Sequence, residues 1–240
     1  MIIVKDVNYK KNNNHILQNI NLNIDEGDNW IFMGPSGSGK STFLKSLCNL
    51  KKIESGSIQI EGKNLSEYKQ VDLAKTIGIV LQEPGLFENF TILKNLTYPQ
   101  VNVLNISEEQ AKKYAEYILK EYGIEHLKDK MPNEISKGLA KKISILRVFL
   151  MHPKYLILDD PSNDLDPEMF SLVSDAIKKL QDNKITTIIS TNNQNIAKKL
   201  GKKLVFFNEG KIEEVSDVHK FFEYQKSERA KNFVEKIVKI

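Results

Sequence analysis

Residues 34–42, Gly-Pro-Ser-Gly-Ser-Gly-Lys-Ser-Thr, have the types and spacing to hold a polyphosphate. Gly34, Gly37 and Gly39, with Pro35, Ser36 and Ser38 between them, let successive backbone N–H groups curl around anionic oxygens. A helix opening at Ser41 and Thr42 adds positive potential at its N-terminus. Lys40 is placed to neutralise the β- and γ-phosphates, and Ser41 to put its hydroxyl on Mg²⁺. By itself the loop says only that a nucleotide binds, with Mg²⁺.

Other residues could act on what this loop holds. Asp159 follows the apolar run Leu156-Ile-Leu158, so a buried strand delivers a carboxylate to its C-terminal end, where α/β sheets place ligands. There it can hold Mg²⁺ through water, and Asp160 stands beside it. Gln82 ends another short apolar run, 77–81, and its amide can reach Mg²⁺ or an attacking water; alternatively it is a polar residue closing a strand.

These positions need a sheet with helices around it. Runs at 2–7, 16–24 and 30–33, separated by Asn12-Asn13-Asn14 and Asp25-Glu26-Gly27-Asp28, predict two or three antiparallel strands before the loop. Leu44, Leu47 and Cys48 repeat at helical spacing after it. Residues 57–60 with Glu61-Gly62 read as strand and turn. The segment 84–145 turns helical, most clearly at 108–122, with Ser107 as N-cap and Gly123 as stop. Continuous apolar runs at 155–158 and 185–190 suit the centre of a parallel sheet.

Residues 135–142, Ile-Ser-Lys-Gly-Leu-Ala-Lys-Lys, and 155–166, Tyr-Leu-Ile-Leu-Asp-Asp-Pro-Ser-Asn-Asp-Leu-Asp, resemble the signature helix and Walker B segment of ABC-type ATPases. The resemblance covers residues 1–215. It implies an α/β P-loop NTPase of ABC ATPase type: a RecA-like core sheet, an N-terminal antiparallel β-subdomain, and an inserted helical subdomain at about 84–145. Residues 216–240 would form a helical extension. It also implies that Ser136, Lys137 and Gly138 meet ATP held by another protomer, although Ser136 also suits a plain N-cap. Asp160 stands where most relatives have a glutamate that polarises the attacking water. Asp164 and Asp166 fall in the D-loop, which signals between paired sites. Tyr9 stands where relatives stack an aromatic on adenine; an ordinary core or rim tyrosine is the plainer reading. The loop after Gln82 would meet a membrane subunit.

The chain departs from that family at chemical positions. Lys137 replaces a glycine, Leu139 a glutamine and Asp160 a glutamate, and Asn192 stands where a histidine is usual. Aspartate is one methylene shorter than glutamate, and a misplacement of about 1 Å can cost on the order of 10²-fold in rate. Asparagine keeps an N–H donor for the γ-phosphate but loses the charge of imidazolium. A slow ATPase is expected, with a clamp that binds ATP but scarcely hydrolyses it as the rival. Because both the Walker B side and the signature are altered in one chain, a homodimer with two equivalent sites is favoured. Residues 131–142 and 85–99 resemble the ATPases of Mla (MCE-associated) lipid transporters, which makes lipid one cargo and amino acids the alternative.

Composition adds limits. Of the 240 residues, 40% are apolar and 28% charged, ordinary for one globular domain with a subdomain. The net charge of +4 comes from lysines spread along the chain, which reads as a solvated surface and not a nucleic-acid stripe. Cys48 is the only cysteine, which suits a reducing compartment. No run approaches the roughly 20 apolar residues of a membrane span, and the first residues read as a strand, not a signal peptide. The expectation is a cytoplasmic protein, peripheral on the inner membrane beneath an integral membrane permease. A DNA-repair or translation relative is disfavoured by the single cassette, the lack of zinc cysteines and the lack of a long coiled-coil insertion. In the tail, Phe233, Ile237 and Ile240 share a helical face, to pack on their own domain or on a partner protomer.

Overall fold

The computed structural model describes residues 1–161 and 167–238. Strands β1 (Ile2–Lys11) and β2 (Asn14–Ile24) pair antiparallel across a turn at Asn12 and Asn13. Both asparagines have positive φ, 48° and 64°, which their short polar side chains tolerate. After β3 (Asn29–Met33) and α1 (Lys40–Leu47), the chain returns with β4 (Ser55–Ile60) and β5 (Lys63–Asn64). These complete an antiparallel sheet in the order β2-β1-β4-β5. Its inner face, including Ile2, Val4, Leu17, Ile20 and Ile58, packs with Phe43, Leu44 and Leu47 of α1.

β3 was expected as a possible third antiparallel strand, and it takes another place. It lies in a second sheet, parallel to its neighbours on both sides. All five of its residues are buried. A strand apolar on both faces needs cover on both, which the central position of a parallel sheet supplies.

The second sheet continues through α2 (Gln70–Thr76) and β6 (Ile77–Val80). After the helices α3 (Ile92–Leu104), α4 (Glu108–Glu121) and α5 (Lys137–Phe149) comes β7 (Tyr155–Asp159). Then follow α6 (Pro167–Asp182), β8 (Thr186–Ser190), α7 (Gln194–Leu200), and the hairpin of β9 (Lys203–Asn208) with β10 (Lys211–Asp217). The strand order is β10-β9-β3-β8-β7-β6, all parallel except for β9 with β10. Side chains alternate across it: Phe32, Tyr155 and Ile157 join the core around α1, while Ile31, Leu156 and Leu158 join a core with Val173 and Ile177 of α6.

Helices α3–α5 build a third core from Ile92, Leu96, Leu119, Ile143 and Leu146. α5 belongs to two cores, since Ile145 and Val148 face the sheet. Gly78 makes that approach possible, because a Cβ there would overlap the Val148 side chain.

The tail forms α8 (Val218–Glu223) and α9 (Glu228–Val238). It packs on its own domain: Ala230 and Val234 are buried, and the Phe233 ring lies 5.3 Å from that of Phe206 in β9. Ile240 and the Ile237 side chain, and with them part of the expected apolar face, lie outside the described residues.

Candidate functional site

The carboxyl ends of β3, β7 and β8, the end of β6 and the tip of β1 surround one cleft of about 590 Å³. Tyr9, Ser36, Gly37, Ser38, Gly39, Lys40, Ser41, Thr42, Gln82, Asp159, Asp160 and Asn192 line it. They come from five separate segments of the sequence, and the fold gathers them into this one cleft.

The glycine loop leaves β3 with Gly34 at φ 147°. A Cβ on Gly34 would overlap the Phe207 carbonyl oxygen of β9, so this close approach requires glycine. The Gly34 N–H donates to Asn192 Oδ1 at 3.4 Å, which ties the end of β8 to the loop. Lys40 folds its ammonium back on the loop, donating to the carbonyls of Gly34 at 2.6 Å and Pro35 at 3.0 Å. Burial pushes the Lys40 ammonium down to about 8, against the pull of Asp159 and Asp160. The cation is therefore held beside the glycine turn at the cost of part of its hydration, where a polyphosphate would be a better partner than water.

Asp159 is 4% exposed at the end of β7. Its Oδ1 accepts from Ser41 Oγ at 2.9 Å and from Ser190 Oγ at 2.6 Å. Asp160 follows in the left-handed region, φ 46°, and its N–H donates to the Ser190 carbonyl and hydroxyl oxygens at 3.1 and 3.0 Å. The two consecutive aspartates thus diverge from one strand end under the control of Ser190. Ser41, Asp159 and Gln82 offer oxygen donors only, a set suited to a small hard cation such as Mg²⁺.

The cleft also takes Lys11, Ile16, Lys45, Lys51, Ser190 and Thr191, which sequence reasoning had not assigned to it. Lys11, Lys45 and Lys51 give its rim a positive character that suits an anionic ligand. The position of Ser190 had a signal: it ends the apolar strand beside the one that carries Asp159. The three lysines had none, since only tertiary folding brings them to the rim.

The match to known proteins decides the family. A model of the ABC transporter family matches residues 17–163. The glutamine transport ATP-binding protein of Geobacillus stearothermophilus is 34% identical over 241 residues, covering 99% of each chain. The arginine transport ATP-binding protein of Bacillus subtilis is 35% identical over 240 residues, covering 99% of this chain and all of the relative. A dimeric ATP-binding cassette in a post-hydrolysis state, bound to ADP and Pi, superposes with TM-score 0.82 at 29% identity, over 91% of this chain and 99% of the other. The chain belongs to the ABC transporter family.

It is an ATP-binding subunit of an ABC transporter and an ATPase. Within this ABC ATPase, Ser136, Lys137 and Gly138 do not line the cleft of their own chain. Ser136 and Lys137 are exposed and Gly138 is buried at the N-terminus of α5. Ser136 Oγ caps that helix, accepting from the Leu139 N–H at 3.3 Å, which is the plainer reading of this serine. Asp164 and Asp166 lie outside the described residues. Among those described, no helix of the ABC ATPase is long and apolar enough to cross a membrane.

Proposed function

We propose that the chain powers import of an amino acid or a similar small polar solute, as a homodimer on the cytoplasmic face of a membrane permease. One observation carries the cargo: relatives matched over 99% of the chain are named for glutamine and arginine transport. The lipid reading prompted by Leu139 and its neighbours draws no support from these relatives. The dimer is supported by Ser136 and Lys137, which are exposed at the N-terminus of α5 outside their own cleft, where a second copy could use them, and by the dimeric cassette of the same fold.

In the reaction, the backbone N–H groups of 36–42 and the Lys40 ammonium hold the β- and γ-phosphates of ATP. Ser41 and Asp159, already 2.9 Å apart, with Gln82, would hold Mg²⁺. The ion would supply neutralisation of charge on the phosphate oxygens. Tyr9 offers a face for adenine at the tip of β1. Asp160 and Gln82 orient the attacking water, and Asn192 donates toward the γ-phosphate from the end of β8. The shorter Asp160 and the uncharged Asn192 make the hydrolysis slow.

Isolation of the chain from native membranes in mild detergent tests the assembly. Two copies should co-purify with an integral membrane permease, and ATP turnover should rise with an amino acid and its binding protein. A permease complex that responds only to lipid would overturn the cargo.

A further inference from the structure

We infer that Lys141 is a positioning residue for ATP hydrolysis, clamping the backbone at Gln82 to the helix that carries Ser136 and Gly138. The inference rests on the reading of Gln82 given above and adds a residue that acts through it.

Lys141 lies one turn into α5 and is 3% exposed. Its ammonium donates to the Leu81 carbonyl at 2.8 Å and to the Gln82 carbonyl, and no carboxylate pairs with it among the described residues. Both acceptors lie just beyond the last residue of β6, where the parallel ladder has stopped. A buried cation bonded only to carbonyls is an expensive way to fasten a loop, since an unpaired ammonium strongly prefers water. Glu83, Asp160 and Asp159 lie near enough to offset that penalty in part. The charge thus sits within the influence of three carboxylates while its protons hold the loop.

The same face of α5 continues the clamp. Ser144 Oγ donates to the Pro84 carbonyl at 2.7 Å, and Arg147 Nη2 to the Gly85 carbonyl at 2.9 Å. Spacing of three residues puts Lys141, Ser144 and Arg147 on one stripe of the helix, facing successive carbonyls of 81–85. Only the Lys141 contact falls on Gln82 itself, whose side chain lines the cleft. α5 also sits on β6 at Gly78, so helix and loop share one rigid footing. A shift of α5 therefore moves Gln82 through Lys141, joining the residues offered to a second protomer with those that act on the water.

Steady-state ATP hydrolysis by the purified full chain tests this through a double-mutant cycle of Lys141→Met and Gln82→Ala. Lys141→Met should lower kcat by about 10-fold or more with KM for ATP within twofold, as expected when a reacting group is misplaced but the phosphate cradle is intact. In the Gln82→Ala background, Lys141→Met should cost nothing further, because its effect passes through Gln82. Arg147→Met, which releases the loop only at Gly85, should cost less. Lys141→Gln keeps a donor for one carbonyl; it should fall between wild type and Met, and it serves if Lys141→Met does not fold. Equal losses in both Gln82 backgrounds, or a raised KM with unchanged kcat, would overturn the role of Lys141. A Gln82→Ala variant with wild-type kcat would instead remove Gln82 from the reaction, and the inference with it.

Discussion

Ser190 Oγ donates to Asp159 Oδ1 at 2.6 Å while accepting from the Asp160 N–H at 3.0 Å. The register of β7 and β8 sets Asp159 directly beside Ser190, so one hydroxyl orients both aspartates of the site. It fixes the carboxylate of the first and the backbone of the second, which is why two consecutive acids can point to different tasks. Neither position alone reveals this; the pairing of two parallel strands does.

Ser190→Ala should accordingly destabilise the protein. The serine is 2% exposed, and a buried hydrogen bond to a charged group contributes about 1.5–3 kcal/mol. Urea unfolding of wild type and variant measures the difference. A loss below about 0.5 kcal/mol would mean that Ser41 and solvent hold Asp159 without help.

Glu61 makes a separate, pH-dependent contribution. Its carboxylate accepts from Lys154 at 2.6 Å and from the Tyr155 hydroxyl at 2.6 Å. Hydrogen bonds from Lys154, the chain's amino terminus and Tyr155 hold it down to about 2, against an ordinary value of 4.5. A depressed carboxylate stabilises the fold fully above its unfolded value and loses that contribution as pH falls toward its folded value. Glu61→Gln should therefore lower Tm at pH 7, and the gap to wild type should close between pH 4.5 and 2. A gap that stays constant across this range would show that the charge of Glu61 is not what matters.

The proposed brake is tested by restoring the usual residues. Asp160→Glu with Asn192→His lengthens the carboxylate and supplies an imidazole near the γ-phosphate. The pair should raise kcat by ~10-fold, equivalent to about 1.4 kcal/mol of barrier, with little change in ATP affinity. Steady-state turnover of the assembled complex decides it. The Gly34 N–H donates to Asn192 Oδ1, and Asp160 sits at φ 46°, so the site has local geometry built around the present residues. An unchanged or lower rate would mean that this geometry has adapted to them and that neither residue is the brake.

Local sequence carried much of this reading where chemistry is contiguous. The phosphate loop declared itself because glycines, lysine and hydroxyls lie within nine consecutive positions between a strand and a helix. Asp159 was legible because an apolar strand must end in solvent or in a site. β3 was misplaced in part because its run does not state its partners: parallel neighbours β8 and β9 come from more than 150 residues away. Lys11, Lys45 and Lys51 look like any solvated lysines until folding brings them to the cleft. Lys141 was hidden for the opposite reason, as one of many lysines whose burial depends on the loop packed over it.

The central claim is that the glycine loop holds ATP for hydrolysis through Lys40. Calorimetric titration of the folded full chain with MgATP, wild type against Lys40→Ala, tests it most directly. Binding should be clear in the wild type and lost or greatly weakened in the variant, with ATP turnover abolished alongside. Equal affinity in a folded Lys40→Ala protein would contradict the claim.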